Sequence, residues 1–529
     1  MTGHCLHPKP DLPSRIVGFA NGDTGVPDMT VVIERRADLT LENFRRVAVD
    51  GEGVVIGDVA RQAMLDARAA FVALLETDRT AFMYGVTSRP GVEVKMQVAP
   101  TDQAAWATGV TMLGTGRGFG GGELDERVVR GIVFARLADF VEGNAKARPL
   151  VADRVAALLD GPLPKVPLNG QIAAGEILPM MHVMSEIFTG DFEEGEWMTL
   201  VNGSPCSAAL IADAALHARH RLETAEIVFA LSVEALRAPL EAYDEALEAL
   251  WDDEHEVAAL RGLRAQLSGA ETAGRLVQQA PVSYRILPRL LGQTRRAVAH
   301  LEQAARTSLA SAAHNPVFIP PDGDHPNGRL VSTGGYHNAM GYPALNSLTA
   351  AWADLALIAE RHVSALHNSS VSELPELLAL PGAPGSETNL FGWVAGGFAE
   401  TARAVAAPTL LPASVNDARD DVSVPTFLAY AQERRGAESL DGALAVLSLV
   451  ASQALFVAGR LPAQPLRAFL DGVRRVFRPV DAPRKELGTE AGRLADVLSG
   501  AALSGRFDFE GAAEPRENGV PVRTWRRAQ

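Results

Sequence analysis

The sequence predicts a mainly α protein, a long-helix bundle with active-site loops inserted between its helices. Three observations carry this. Apolar residues recur at three- and four-residue spacing over segments too long for strands, prolines interrupt those segments rarely, and turn-forming residues collect in a few intervening stretches. In chain order, Leu39-Thr40-Leu41-Glu42 sets a threonine before an apolar run with an acid in the first turn, a helix start signal. Ala104 to Thr108 also reads as helix. Cys206 to Leu240 carries Leu210, Ala214, Leu222 and Leu231 among charged residues, with no proline before Pro239, and predicts one long helix. Thr294 to Ala313 adds Val298, Leu301, Ala305 and Leu309. The same spacing returns at Leu345, Leu348, Trp352, Leu355 and Ile358, and again at Leu440, Leu444, Leu447 and Val450. Four such segments, rich in alanine and leucine, present wide apolar faces that bury against one another.

The stretches 79–100, 169–176, 311–340 and 412–425 hold much of the Gly, Pro, Asn and Asp, and chemistry is expected there. No internal repeat or low-complexity linker divides the chain. The expected organisation is an N-terminal extension over residues 1–35, one helical body over 36–505 and a tail over 506–529.

A chain of 529 residues has room for two or more ordinary domains, although shared helical bundles break that rule. The net charge of -15 argues against nucleic acid as a partner, because that association rests on neutralising phosphates; the short Arg523 to Arg527 tail is the one basic block. Met1 to Pro13 contains His4, Lys9 and prolines but no apolar core of signal-peptide length. No uncharged span is expected to reach the roughly 18 to 20 residues that cross a bilayer. Two cysteines, Cys5 and Cys206, make no disulfide framework, and a reducing cytoplasm is the expected compartment.

Two motifs carry little weight. Gly116-Arg117-Gly118-Phe119-Gly120-Gly121 fits GxGxxG, but helix rather than an apolar strand precedes it, so it reads as an interhelical loop. Asp252-Asp253-Glu254-His255-Glu256 offers metal-ligand types, yet consecutive residues do not converge on one ion; a solvated helix end is expected, and no metal site.

More informative are Met83-Tyr84-Gly85-Val86-Thr87-Ser88-Arg89-Pro90-Gly91, the run Val166 to His182 centred on Ala173-Ala174-Gly175-Glu176, and Leu200-Val201-Asn202-Gly203-Ser204-Pro205-Cys206. Further on come Val277-Gln278-Gln279-Ala280-Pro281-Val282-Ser283-Tyr284-Arg285-Ile286-Leu287-Pro288, His314-Asn315-Pro316-Val317, Gly334-Gly335-Tyr336-His337, Pro412-Ala413-Ser414-Val415 and Asp420-Asp421-Val422-Ser423. Together these resemble, in order, the loops of the histidine and phenylalanine ammonia-lyase family. The resemblance implies a fumarase/aspartase-like helical bundle, a homotetramer whose sites draw on three subunits, and a small carboxylate-bearing substrate. It also implies roles. Tyr84 corresponds to the lid tyrosine that removes the substrate β-proton, Asn202 and Gln278 to substrate contacts, Arg285 to the carboxylate clamp, and Tyr336 to an aromatic over the pocket.

The family's cofactor loop is Ala-Ser-Gly, which cyclises and dehydrates to an electrophilic methylidene-imidazolone (MIO). Here the triad is Ala173-Ala174-Gly175, and alanine has no hydroxyl to eliminate, so MIO is not expected. Ile172 replaces a glycine whose freedom eases the cyclisation, and Glu176 replaces aspartate. Other family positions have changed as well. Pro281 and Val282 occupy the neighbourhood of a second catalytic tyrosine, Arg419 stands for a functional glutamate and Asp421 for a histidine. Arg89, Glu176, Arg419 and Asp421 are candidate pocket residues, Arg89 as a positive charge near the Tyr84 phenol.

Without MIO an elimination needs a better leaving group than ammonia. A quaternary trimethylammonium is one, and the resemblance supplies a precedent in ergothionase, a relative that expels trimethylamine from a thiohistidine betaine without the cofactor. The expected activity is a MIO-independent C–N lyase acting on such a betaine of a histidine type. Trp393 or Phe391, with Tyr336, would offer cation-π faces, and Glu176, Asp420 or Asp421 would balance charge. The alternatives are a cofactor-free isomerisation, addition or cyclisation, and a catalytically silent binder of small carboxylates.

Overall fold

The computed structural model describes residues 30–108, 120–172, 174–188, 191–276, 279–416 and 420–513. Ala173, Gln278, Arg419, Cys5 and most of the Gly116–Gly121 run lie outside the described residues. Nine helices frame the molecule: α1 (Leu41–Ala48), α2 (Asp58–Thr77), α3 (Glu126–Arg136), α4 (Pro205–Leu236), α5 (Leu287–Leu309), α6 (Gly341–His367), α7 (Asn389–Val405), α8 (Thr426–Val457) and α9 (Leu487–Ser504). The four long segments expected from sequence are α4, α5, α6 and α8, and they pack together, with α4 against α5 and α8, and α8 against α6 and α7. The mainly helical fold is thus as the periodicity predicts.

Local signals place the ends. Thr40 Oγ1 accepts from Asn43 N at 3.1 Å, capping α1 where the sequence put a helix start. Pro205 occupies the first turn of α4, where its missing N–H costs nothing. The Asp252–Glu256 run is a helix start too, since Asp253 Oδ1 accepts from His255 N and Glu256 N, capping Glu254–Gln266. Strand content among the described residues is slight. β1 (Thr30–Ile33) and β2 (Gly53–Ile56) pair in parallel. β3 (Val317–Ile319) with β4 (Arg329–Val331), and β5 (Ala413–Asn416) with β6 (Asp420–Val422), form two antiparallel ribbons in loop regions.

α4 and α8 are buried almost all round, which is why neither shows a clean amphipathic stripe. Fully buried Trp352, Phe229, Leu444 and Leu447 exemplify their surroundings, and each such side chain contributes about 1.5–3 kcal/mol. α7 crosses α8 closely enough that a Cβ at Gly442 would lie 2.5 Å from the Phe398 ring, so any larger residue there forces the two helices apart.

The expectation about uncharged spans is corrected here. Gly442–Gly459 carries no charge, and α8 is long and apolar enough to cross a membrane by length and composition. In this fold 89% of its most apolar window is buried inside the bundle, so it is a core helix. Its first half also carries charges that pair across the core. Arg221 Nε of α4 meets Asp441 Oδ1 at 2.8 Å, Tyr430 Oη donates to Asp213 Oδ2 at 2.6 Å, and Trp352 Nε1 donates to Glu433 Oε1 at 2.9 Å. Burial pushes His217, beside Asp213, down to about 4, so this seam holds a neutral imidazole at neutral pH.

Candidate functional site

The Tyr84 loop folds back on itself after α2. Met83 O accepts from Val86, Thr87 and Ser88 N–H groups, and Thr87 Oγ1 accepts from Met83 N while donating to Ala81 O. These bonds bury Val86, Thr87 and Ser88 and leave Tyr84 half-buried. The Tyr84 phenol oxygen accepts from Gly91 N at 2.9 Å. Arg89 is engaged otherwise: its guanidinium pairs with Glu93 at 3.1 Å and lies 5.3 Å from the Trp106 ring. Gly85 backs onto Met198. Met198 belongs to the short helix Glu196–Val201, and that helix runs directly into Asn202.

Asn202 stands at the junction of that helix and α4, with its backbone N–H on Met198 O. Beside it lies the Ala174–Glu176 turn, tied by Gly203 N to Gly175 O at 3.0 Å. Gly175 faces the Asn202 amide, since a Cβ there would sit 3.1 Å from Asn202 Oδ1. Glu176 is buried, and its carboxylate accepts from Cys206 N at 2.6 Å, Ser207 N at 2.8 Å and the Ser207 hydroxyl. Burial pushes its carboxyl up to about 7 against the opposing effect of these donors.

Beneath this floor lies a charged cluster that sequence reasoning missed. Arg136 is fully buried, and its Nη1 donates to Asp139 Oδ2, Thr199 O and Asn202 O at 2.7–3.0 Å. Gly203 is required here, because a Cβ would lie 2.7 Å from Arg136 Nη2. Asp139 Oδ1 in turn accepts from Ala313 N and His314 N and lies 3.0 Å from His314 Nδ1, anchoring the 311–340 loop to the end of α3. Lys146, also fully buried, donates from Nζ to Pro316 O at 3.3 Å. Burial first, then Arg68, pushes Lys146 down to about 7, while Asp139 acts the other way. The available signal was a pair of charges, Arg136 and Asp139, inside the apolar run Ile132–Phe140.

The anchored loop carries Tyr336. Ser204 Oγ donates to Gly335 O at 3.5 Å, and Asn338 Oδ1 caps the start of α6 through Met340 N and Gly341 N. Tyr336 is therefore half-buried on a turn next to the start of α4. Ala174, Gly175, Glu176, Asn202 and the Tyr336 turn come together, with the Tyr84 loop against the same short helix. Arg285 does not join them within one chain. It ends a four-residue helix (Val282–Arg285), is exposed, and donates from Nε to Ala280 O. Its neighbour Tyr284 is fully buried, stacked 3.5 Å from His362 with its hydroxyl 3.1 Å from Ser232 Oγ, so it is a packing residue. Asp420 and Asp421 lie on β6, half-buried and exposed respectively. Phe391 packs edge-on against Phe477 in the core, and Trp393 is 77% exposed; Phe391 is thereby a core residue rather than a pocket face. Among the described residues no His, Cys, Asp and Glu group is arranged to hold a metal ion.

The sequence model described as "Aromatic amino acid lyase" matches residues 39–193 and 187–475. A histidine ammonia-lyase of Symbiobacterium thermophilum is 27% identical over 505 residues, covering 89% of this chain and 97% of that protein. An MIO-dependent tyrosine 2,3-aminomutase of Streptomyces globisporus is 27% identical, covering 86% and 95%. Among solved structures, the tyrosine aminomutase from Streptomyces globisporus superposes with a TM-score of 0.76 at 23% identity, covering 89% of this chain and 97% of the other. The ergothioneine-degrading ergothionase from Treponema denticola does so at 0.79 and 15% identity, covering 90% and 99%.

Proposed function

The chain belongs to the aromatic amino acid lyase family, and from that premise we propose that it is a C–N lyase that works without MIO on a quaternary ammonium substrate. The observation that carries this reading is residue 174. The family relatives named above include an MIO-dependent aminomutase, and MIO requires a side-chain hydroxyl to eliminate at the central position of the loop. Ala174 ends at its Cβ. The loop therefore does not fit the group, and no step is routed through it.

The chemistry is assigned to the chain's own residues. A carboxylate on the substrate pairs with Arg285, whose exposure in one chain supports a site completed by another copy in a homotetramer. Asn202 orients the bound molecule beside the Ala174–Gly175 floor. Tyr84, as phenolate, takes the β-proton; the C–H electron pair becomes the Cα=Cβ π bond, and the Cα–N pair leaves with nitrogen as neutral trimethylamine. The Gly91 N–H on the phenol oxygen favours the anionic form of that base. A trimethylammonium cannot lose a proton first, so it departs without the covalent help an ammonia leaving group requires. Ergothionase, which shares the fold, degrades a betaine of this chemistry, and half-buried Tyr336 supplies a π face for the cation.

The test is to incubate the protein with histidine trimethylbetaine, free histidine, phenylalanine and tyrosine, and to follow released amine and the acrylate by mass spectrometry. Turnover of the betaine alone is expected, with Tyr84→Phe lowering the rate by about a hundred- to ten-thousand-fold while ligand still binds. Full activity in Tyr84→Phe would refute the base assignment. Binding with no turnover of any substrate would make the protein a silent carboxylate binder.

A further inference from the structure

Glu176 has a backbone φ of 54°, in the left-handed region that non-glycine side chains rarely occupy. Something must hold it there, and the bonds that do so lead to α4. The first turn of a helix leaves its amides without intrahelical partners, and a side chain at the N-cap usually satisfies one of them. In α4 the N-cap residue, Ser204, makes no such bond. The amides of Cys206 and Ser207 are taken instead by Glu176, reaching in from a segment 30 residues upstream. Ser207 Oγ donates to the same carboxylate and lies 2.9 Å from Thr426 Oγ1 at the start of α8. With Gly203 N on Gly175 O, the Ala174–Glu176 turn is strapped to the chain at three amides that follow Asn202, one in the link to α4 and two in its first turn. The Asn202 amide lies against Gly175, and its buried oxygen accepts no hydrogen bond among the described residues.

We propose that Glu176 is a positioning residue, whose carboxylate clamps the Ala174–Gly175 turn to the N-terminus of α4 and thereby fixes the Asn202 amide that contacts the ligand. This rests on the assignment of Asn202 as a ligand contact, not on the lyase chemistry. The clamp needs an acceptor-only group. A protonated carboxyl, or a glutamine amide, turns a hydrogen toward the N–H and O–H donors of Cys206 and Ser207, and one strap opens. The charged and titratable neighbours of Glu176 are the Arg136 guanidinium on α3, which favours its anion, and the Cys206 thiol on α4; Thr426 on α8 is neutral. Burial holds the group near neutrality, so the clamp tightens as pH rises through about 7.

Two measurements on the full chain test this. Hydrogen exchange of the peptide spanning Leu200–Ser207, with no ligand present at pH 8, is expected to quicken about tenfold or more in Glu176→Gln. Unchanged exchange there overturns the proposal whether or not a ligand is found. Calorimetric titration with imidazole acrylate then closes a double-mutant cycle. Glu176→Gln and Asn202→Ala are each expected to weaken binding about tenfold, and the double variant no more than Asn202→Ala alone. Wild-type affinity should rise from pH 6 to pH 8 and that of Glu176→Gln should stay flat. Additive losses, or an unchanged pH profile in Glu176→Gln, overturn the proposal. Should Glu176→Gln fail to fold, Ser207→Ala removes a single strap, and its exchange and coupling to Asn202→Ala are read in the same way. Coupled binding without release of trimethylamine would sink the lyase reading and leave the clamp standing.

Discussion

Replacing Lys146 with methionine should remove a pH dependence of stability that the wild type carries through this one group. Lys146 is fully buried, its ammonium reaches one carbonyl, Pro316 O, and the Asp139 carboxylate is already engaged by Arg136 and His314. Burial and Arg68 lower its affinity for a proton from the ordinary 10.5 to about 7 in the fold. Between those values the unfolded chain binds a proton that the folded chain does not. Stability therefore rises with pH across that window, by about 1.4 kcal/mol per unit once the folded group is neutral. Allowing for half-protonation at pH 7, the interval from pH 7 to pH 9 adds about 2 kcal/mol to the wild type through this one group. Lys146→Met removes that contribution and costs about 1 kcal/mol at either pH for the Pro316 carbonyl left without its donor. Chemical denaturation of both proteins at pH 7 and pH 9, at fixed protein concentration, measures the offset between them. The variant should gain about 2 kcal/mol on the wild type at pH 7 relative to pH 9. An offset equal at the two pH values would show that Lys146 is charged in the fold and refute the reasoning.

Other expectations follow from the site. Arg285→Lys should weaken binding of imidazole acrylate by tens-fold or more, since breaking a desolvated charge pair typically costs about 2–5 kcal/mol. Its melting temperature should barely move, because the side chain is exposed in the single chain. Equal affinity by calorimetry would remove Arg285 from the site. Intact mass should equal that of the encoded chain, and a loss of two waters localised to Ala173–Gly175 would overturn the MIO-free reading. Light scattering at micromolar concentration should give a homotetramer, and a monomer would leave Arg285 with no route to Asn202.

The helices were legible because burial writes a period into sequence, and the places where that reading fell short have physical causes. α5 begins at Leu287, seven residues before the segment first marked, because Pro288 reads as a breaker yet is harmless in a first turn. α8 begins at Thr426, well ahead of Leu440, since Glu433, buried on Trp352, and Arg434, paired with Asp125 at the edge of the bundle, interrupt the apolar pattern. The ribbons β3–β4 and β5–β6 are three or four residues per strand, too short for an alternation to register. In the site, Ala174, Glu176 and Asn202 stood out as departures from, or matches to, a family loop. The Arg136–Asp139–His314 cluster did not, because its bonds close over about 175 residues of chain, a separation that no local pattern encodes. Arg285 was recognised, but one polypeptide does not bring it to the others.

The burial of α8 between α4, α6 and α7 has a consequence for biosynthesis. The helix is complete only once residue 457 has been added, which at about 5–20 residues per second is roughly 10–45 s after α4 is finished. α4 is finished 221 residues earlier, at Leu236, and until α8 emerges the face carrying Asp213 and Arg221 has neither its apolar cover nor its Tyr430 and Asp441 partners. A ribosome-bound chain must carry an open α4 while those 221 residues are added, and the acid and base residues spaced along that helix keep it in water while it waits.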